Sequence, residues 1–154
     1  RLHVKDGVEL ARKHRLPAVI EEIIQQHHGT SLISYFYQQA LEDRGDVEQI
    51  YDEKFRYEGP LPQTKEAAII MLADSVEAGV RSLPKPVGNR VEGMVRRIIK
   101  DRLNNGQMDE SDLTLKELDL IGEAFVKIMA GIYHSRIEYP EKDLKAEIER
   151  SALR

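Results

Sequence analysis

The sequence predicts an all-α domain, because apolar residues recur at helical spacing through most of the chain. Two helix-terminus signals support this prediction. Thr114 and Glu117 have the spacing of a capping box, and residues 104–106 (Asn-Asn-Gly) are typical of a helix end. No segment shows the two-residue alternation of a strand. We therefore expect a bundle of helices joined by loops.

Composition limits the function without choosing it. The 154 residues are 41% hydrophobic and 32% charged, which fits one globular domain with a core of its own. The net charge of −4 argues against a nucleic-acid polymer as the main partner. No run approaches the roughly 20 apolar residues of a membrane span, so we expect a soluble segment. Because cysteine is absent, any metal must be held by His, Asp or Glu.

The helices are predicted from apolar spacing and from Pro, Gly and capping residues. Pro17 suits the first position of the second helix, and Thr64 suits an N-cap. A charged segment rich in Gly and Pro, residues 43–63, is predicted as a surface loop. The expected helices are residues 4–15, 17–28, 32–41, 66–81, 87–103 and 115–136, with a marginal amphipathic helix at 141–154.

Several side chains are predicted to lie inside. Ile20, Ile23, Ile24 and His27 follow the i, i+3, i+4, i+7 spacing of one helix face, so His27 should point inward and need a partner. The aromatic residues of the third helix are expected to be core residues. In the last long helix we expect inward positions at Leu118, Ile121, Phe125, Ile128, Met129 and Ile132, and in the third helix at Tyr35, Phe36 and Tyr37.

Two adjacent histidines, His27 and His28, close the second helix just before Gly29. Imidazole is a common ligand of divalent transition metals, and a helix that ends at glycine lets the second ring swing back towards the first. A cationic histidine that complements the helix dipole is the alternative. The pair therefore indicates either half of a metal site or a helix cap.

Asp74 stands within an otherwise apolar helical run. A carboxylate in such a run needs a partner when it is buried, and the choices are a cationic side chain, a backbone cap or a metal. Taken by itself, Asp74 favours a buried salt bridge.

Four stretches together resemble the HD phosphohydrolase superfamily: residues 3–8, His27 to Thr30, residues 55–60 and residues 63–78. More narrowly, they resemble the cytoplasmic HD domain of the bacterial seven-transmembrane HD proteins that hydrolyse cyclic di-AMP. The resemblance runs from His3 to about Pro140, which predicts an HD domain at 1–140 and a separate helix or tail at 141–154. Glu58 stands where the family pattern leads us to expect proline.

The resemblance implies a helical domain with two adjacent divalent ions, Mn or Fe, that cleaves cyclic di-AMP to linear pApA. By analogy, His3, His27 and His28 would ligate one ion and Asp74 the other. Arg81 would contact a phosphate, with an ion pair to Glu77 as the alternative. The resemblance also implies a cytoplasmic domain that meets the membrane only through other parts of its protein, and a possible homo-oligomer.

The namesake His-Asp dipeptide of the family is absent from these 154 residues, and the resemblance places it upstream of His3. Because that dipeptide would supply the bridging aspartate, we expect this segment alone to be poorly active or inactive. Two other functions stay open: an HD phosphohydrolase of a different nucleotide, and a metal-free helical regulatory or docking module.

Overall fold

Six α-helices make up most of the computed structural model, which describes residues 2–44 and 52–134. They are α1 (Leu2–Lys13), α2 (Ala18–Gln26), α3 (Ser34–Arg44), α4 (Lys65–Arg81), α5 (Gly88–Asn104) and α6 (Leu115–His134). A short 3-10 helix, Asp52–Phe55, lies between α3 and α4. The predicted all-α class is confirmed. The helix predicted at 141–154 lies outside the described residues.

Helix α4 lies at the centre of the bundle, where it contacts α2, α5 and α6. The spacing of its apolar residues explains this position, because Met71, Leu72, Val76 and Val80 are fully buried. They pack against the buried faces of α5 and α6, which contribute Val91, Val95, Ile99, Leu118, Phe125 and Met129. Helix α1 packs on α2, and this contact brings the first residues of the chain towards the end of α2.

Side-chain caps fix where α4 and α6 begin. The hydroxyl of Thr64 accepts a hydrogen bond from the backbone N–H of Ala67 at 3.2 Å, as the sequence predicted. At α6, Glu117 N–H donates to Thr114 Oγ1 (3.2 Å) and Thr114 N–H donates to Glu117 Oε2 (2.8 Å), which confirms the capping box. Lys65 Nζ also donates to the Glu117 carboxylate at 2.5 Å. The starts of the two helices are therefore tied together.

Some residues predicted to be inward are exposed. Tyr35 and Phe36 are 71% and 57% exposed, because among the described elements α3 packs only against the 3-10 helix. Ile20 on α2 is also exposed, whereas Ile23 and Ile24 are half-buried. The buried face of α2 is therefore narrower than its apolar pattern suggested, because among the described helices α2 packs only against α1 and α4.

The buried stripe of α6 is also narrower than predicted. Leu118, Phe125 and Met129 are buried, whereas Ile128 and Ile132 are more than half exposed. Ile128 points about 100° away from Met129, its neighbour in the helix, and so leaves the face that packs on α4 and α5. Apolar character alone therefore overestimated the width of this interface.

Candidate metal centre

The histidine pair lies at the C-terminal end of α2. Helix α2 ends at Gln26, His27 is its C-cap residue, and Gly29 adopts a left-handed φ of +50°. A Cβ atom at Gly29 would lie 2.5 Å from Gln107 Oε1 and 2.8 Å from Met71 Cε. Only glycine fits this position without displacing its neighbours, so the chain turns sharply just after His28.

His3, His27 and His28 form one cluster of imidazoles. His3 Nε2 lies 2.9 Å from His28 Nε2, and one nitrogen of each of the three rings lies within 4.8 Å of the others. His3 comes from the first turn of α1, 24 residues before His27, and reaches the cluster because α1 packs on α2. The structure therefore brings together three of the four residues assigned to metal ions by resemblance.

The half-buried ring of His27 has a hydrogen-bond partner, as we expected. Its Nδ1 lies 2.7 Å from the backbone oxygen of Ile24, one turn earlier, so Nδ1 carries the proton and donates to that carbonyl. This hydrogen bond places the proton on Nδ1 and leaves the lone pair on Nε2. Metal-ligating histidines are commonly oriented through such a bond from their other nitrogen.

The electrostatics of the cluster favour the neutral form of two rings, those of His28 and His3. Burial lowers the pKa of His28 to about 4, and the nearby His27 acts in the same direction against the raising effect of Asp74. Partial burial also lowers the pKa of His3. At neutral pH these two rings therefore retain a lone pair, which is the form that binds a metal ion.

Asp74 lies beside the cluster, but it is not the buried salt-bridge partner predicted from its run of apolar neighbours. Its side chain is 50% exposed, and its Oδ2 lies 3.9 Å from His28 Nδ1. The prediction was wrong because Asp74 lies on the edge of α4, away from the stripe of Met71, Leu72 and Val76. This separation is too long for a hydrogen bond, so the carboxylate oxygens can bind another group.

Arg81 lies at the end of α4, where its guanidinium donates to Glu77 Oε1 at 2.9 Å. This contact is the i,i+4 ion pair that the sequence offered as the alternative role, and both side chains are exposed. A contact from Arg81 to a substrate phosphate stays a prediction.

Gln107 is a supporting residue that sequence reasoning missed. It is 1% exposed, and its Oε1 accepts from Thr30 N–H at 2.9 Å while its Nε2 donates to Thr30 Oγ1 at 2.9 Å and to Asn105 O at 3.1 Å. These bonds hold the turn after His28 against the end of α5. The only signal in the sequence is a glutamine placed directly after a helix-ending glycine, which is too common to be informative.

Tyr57 was also missed, although the loop that carries it contributed to the resemblance. Its ring stacks on His28 with centroids 4.2 Å apart and an interplanar angle of 25°. Backbone pairing places it there, because Tyr57 N–H donates to Ser31 O (3.0 Å) and Ile33 N–H donates to Phe55 O (2.7 Å). These backbone hydrogen bonds hold the loop after the 3-10 helix against the segment that follows the histidine pair.

A cleft of about 490 Å³ opens beside His28, and we call it the α1 cleft. Val4 and Val8 of α1 and Pro60 of the loop give it apolar walls, while Lys5 and Tyr57 supply polar groups. Its volume lies in the range of small-molecule sites. The α1 cleft could therefore receive an organic ligand next to the histidines.

The donor set fits a divalent transition metal. Two imidazole nitrogens bound to one ion at about 2.1 Å and at right angles would be roughly 3 Å apart, and the His3 and His28 Nε2 atoms are 2.9 Å apart. Among the described residues, no helix is both long enough and apolar enough to cross a membrane.

A family model described as the HD domain matches residues 1–79. The chain is 52% identical over 145 residues to a Bacillus subtilis protein named cyclic-di-AMP phosphodiesterase PgpH, an alignment covering 94% of this chain and 20% of that protein. It is 45% identical over 139 residues to the Listeria monocytogenes protein of the same name, covering 90% of this chain and 19% of that protein. The chain thus spans about a fifth of the length of these relatives.

A solved structure shares the fold. It is the crystal structure of the L. monocytogenes phosphodiesterase PgpH HD domain in complex with cyclic di-AMP, which superposes with a TM-score of 0.79 at 44% identity. The match covers 89% of this chain and 63% of that chain. The arrangement of helices described above is therefore also seen in an experimental structure.

Proposed function

This chain belongs to the HD domain family, and from that premise we propose that it forms the metal-binding part of a phosphodiesterase domain that hydrolyses cyclic di-AMP. The observation that carries the proposal is the convergence of His3, His27 and His28, with Asp74 3.9 Å from His28. Support for the substrate comes from the relatives named as cyclic-di-AMP phosphodiesterases and from the relative solved with cyclic di-AMP.

In this proposal His3, His27 and His28 hold one ion, and Asp74 ligates a second ion beside it. The bound ions, Mn or Fe by resemblance, would neutralise the phosphodiester oxygens and make a bound water acidic enough to attack at neutral pH. His27 contributes Nε2 because its Nδ1 is committed to Ile24 O. Asp74 contributes a half-exposed carboxylate that solvent and substrate can reach.

The remaining residues bind and orient the substrate. The α1 cleft offers Val4, Val8 and Pro60 to the apolar face of a nucleoside and Lys5 to its polar edge. Tyr57 braces the ring of His28 by stacking on it. Hydrolysis adds water to one phosphorus, breaks the bond from that phosphorus to the ribose 3′ oxygen, and leaves the proton on the new 3′ hydroxyl. The product is linear pApA.

Metal binding can be tested without any assay of activity. We expect Mn²⁺ titrated into the 154-residue chain to bind in calorimetry, and we expect His27→Ala and His28→Ala each to weaken that binding at least tenfold. His14→Ala is the matched control, because His14 is exposed and lies outside the cluster. Equal Mn²⁺ affinity in all four proteins would overturn the assignment of the ligands.

Substrate choice requires a separate test. A longer chain that contains these residues together with an upstream His-Asp segment should hydrolyse cyclic di-AMP faster than cyclic di-GMP or guanosine tetraphosphate. Arg81→Gln in the same chain tests the phosphate contact predicted for Arg81. Preferential hydrolysis of guanosine tetraphosphate would instead assign the domain to another nucleotide. No hydrolysis of any of the three, with metal bound, would contradict the enzymatic proposal.

The cellular setting is also part of the proposal, and it is supported by the resemblance to the seven-transmembrane HD proteins. We propose that the domain lies on the cytoplasmic side of a bacterial membrane and is linked to it through residues outside this chain. Homo-oligomer formation stays a prediction, which sedimentation of the purified chain would test.

A further inference from the structure

A second cleft of about 490 Å³ lies between α4 and α5 and reaches the segment after the histidine pair. We call it the arginine cleft, because Arg56, Arg97 and Arg102 line it together with Ser75 and Asp101. Three arginines that line one cavity of this size suggest an anionic ligand, depending on which of them lacks a carboxylate partner. None of these side chains belongs to the histidine cluster, so the cleft is a separate feature of the molecule.

Two of the three arginines already have anionic partners. Arg56 donates through Nε and Nη2 to Asp52 Oδ2, at 3.1 Å and 2.7 Å. Arg97 Nε lies 3.6 Å from Asp101 Oδ2, and both side chains are more than half exposed. These two arginines contribute to the local field, but their carboxylate partners offset much of their charge.

Arg102 differs from both. Its Nε and Nη2 both donate to Ser75 Oγ, at 3.2 Å and 3.1 Å, and a hydroxyl carries no compensating charge. A guanidinium has five N–H donors, so these two bonds leave most of its capacity unused. The side chain is only partly exposed, and burial lowers the pKa of Arg102 while Asp101 and Asp74 act against that shift. A half-buried guanidinium with a neutral partner can gain from binding an anion.

The arginine cleft adjoins the candidate metal centre. Ser75, the partner of Arg102, follows Asp74 directly on α4. Ser31, which lines the arginine cleft, accepts a backbone hydrogen bond from Tyr57, the residue whose ring stacks on His28. A ligand held by the histidine cluster and Asp74 can therefore extend to Arg102 without leaving the protein surface.

We propose that the arginine cleft is a phosphate-binding site in which Arg102 holds the phosphodiester of the cyclic dinucleotide that is not being cleaved. The inference rests on the proposed function, because a cyclic dinucleotide carries two phosphodiesters and the metal centre cleaves only one of them. A planar guanidinium suits the second phosphodiester, since it offers paired N–H donors to two phosphate oxygens. Arg102 is then a residue that selects substrates with two phosphates.

The site itself is tested first, independently of metal and substrate. Inorganic phosphate is titrated into the metal-free chain in EDTA, and the arginine side-chain N–H signals are followed by NMR. We expect the Arg102 signal and those of Arg56 and Arg97, which line the same cleft, to shift saturably in wild type. In the variants the Arg56 and Arg97 signals should report weaker phosphate binding for Arg102→Lys and no binding for Arg102→Gln. Lys100→Gln is the charge-matched control, because Lys100 is exposed on the same helix and does not line the cleft.

Thermal unfolding of each variant shows that it is folded. A wild-type Arg102 signal that phosphate does not move would overturn the phosphate site, whatever the activity of the domain. Equal phosphate affinity in wild type and Arg102→Gln would overturn it as well.

The second test compares cyclic di-AMP with ApA, a dinucleoside that carries a single phosphodiester, in the Mn²⁺-loaded chain. We expect Arg102→Gln to bind cyclic di-AMP at least tenfold more weakly and ApA with unchanged affinity, while Mn²⁺ affinity stays the same. Equal losses for both ligands, or no loss for either, would overturn the role of Arg102. Failure of the wild-type chain to bind cyclic di-AMP while phosphate still shifts Arg102 would count against the proposed function and leave the phosphate site standing.

Discussion

At the scale of single residues, the position of the histidine pair depends on neighbours that have no proposed role in binding metal or substrate. Gly29 allows the chain to turn directly after His28, and the Gln107 amide holds Thr30 through two hydrogen bonds. The same amide also donates to Asn105 O. Leaving such a buried donor or acceptor unsatisfied costs about 1–3 kcal/mol. The rings are thus held by the backbone and by an amide, in addition to their own contacts.

Gly29→Ala is expected to lower both stability and Mn²⁺ affinity. An alanine at positive φ costs about 1–2 kcal/mol, and its Cβ would press against Gln107 and Met71. Urea unfolding and Mn²⁺ calorimetry measure the two effects. Gly93→Ala is the matched control, because a Cβ at Gly93 meets nothing within 4 Å in the middle of α5. That control should stabilise the chain by about 0.5–1 kcal/mol, and equal effects of both substitutions would contradict the argument.

The low pKa of His28 makes the stability of the metal-free chain depend on pH. With a pKa of about 4 in the folded state and 6.5 when unfolded, the unfolded chain binds the proton more readily between these values. The free energy of unfolding should therefore fall as pH falls from 6.5 to 4. The change is at most about 3 kcal/mol, and water at the partly exposed ring reduces it.

Urea unfolding in EDTA at pH 4.5 and 7 measures this dependence. His28→Asn should flatten the pH dependence, and the control His14→Asn should leave it as in wild type. An unchanged dependence in His28→Asn would show that other groups cause it.

At the scale of elements, a side-chain contact links the start of α6 to the start of α4. The Glu117 carboxylate accepts from Lys65 and from Thr114, and these hydrogen bonds, led by that from Lys65, lower the pKa of Glu117 to about 2. One side chain therefore caps its own helix and also links that helix to the central one. The capping box was visible in the sequence, whereas the contact with Lys65, 52 residues away, was not.

Thr114→Ala is expected to lower the free energy of unfolding by about 1 kcal/mol, because the N-cap acceptor for the Glu117 N–H is lost. Thr114→Ser keeps the hydroxyl and should stay within a few tenths of a kcal/mol of wild type. Chemical denaturation of the three proteins measures the difference. The same loss in both variants would indicate that the methyl group matters instead of the cap. Neither substitution is expected to change Mn²⁺ affinity, since α6 contributes no residue to the cluster.

At the scale of the whole molecule, the proposed ligands would divide unevenly between two ions. Three imidazoles are the usual number of protein ligands for one catalytic ion, whereas Asp74 alone would ligate the other. We expect one tightly bound Mn²⁺ per chain by elemental analysis. At a free concentration 100 times its Kd, the ion should stabilise the fold by about 2.7 kcal/mol, seen as a rise in Tm that EDTA reverses. Two tightly bound ions per chain would contradict this ligand count.

The same count predicts the catalytic behaviour of these 154 residues. Two adjacent ions stabilise the attacking and leaving oxygens together, so a chain that holds one ion should hydrolyse cyclic di-AMP slowly. A longer chain that includes an upstream His-Asp segment should be faster by orders of magnitude. Equal turnover numbers for the two chains, abolished by His27→Ala in both, would show that the site has been misplaced.

The sequence by itself determined the helices and the identity of the family. Helical spacing of apolar residues, the capping box at Thr114 and the glycine stop at Gly106 depend on contacts within a few residues, and such contacts can be read locally. Four short stretches were enough to name the family, and the match of the HD domain model to residues 1–79 confirms it. His27, which the same local register placed on the inner face of α2, is half-buried.

Only the tertiary structure decided how wide the buried faces are and what surrounds the histidines. Tyr35, Phe36 and Ile128 are apolar enough for a core, but whether a helix face is buried depends on which other helix packs against it. Asp74 became an exposed neighbour of His28 through the packing of α2 on α4, which no local pattern encodes. Arg102 and Gln107 gained their roles in the same way, because each acts on residues 27 or more positions away in the chain.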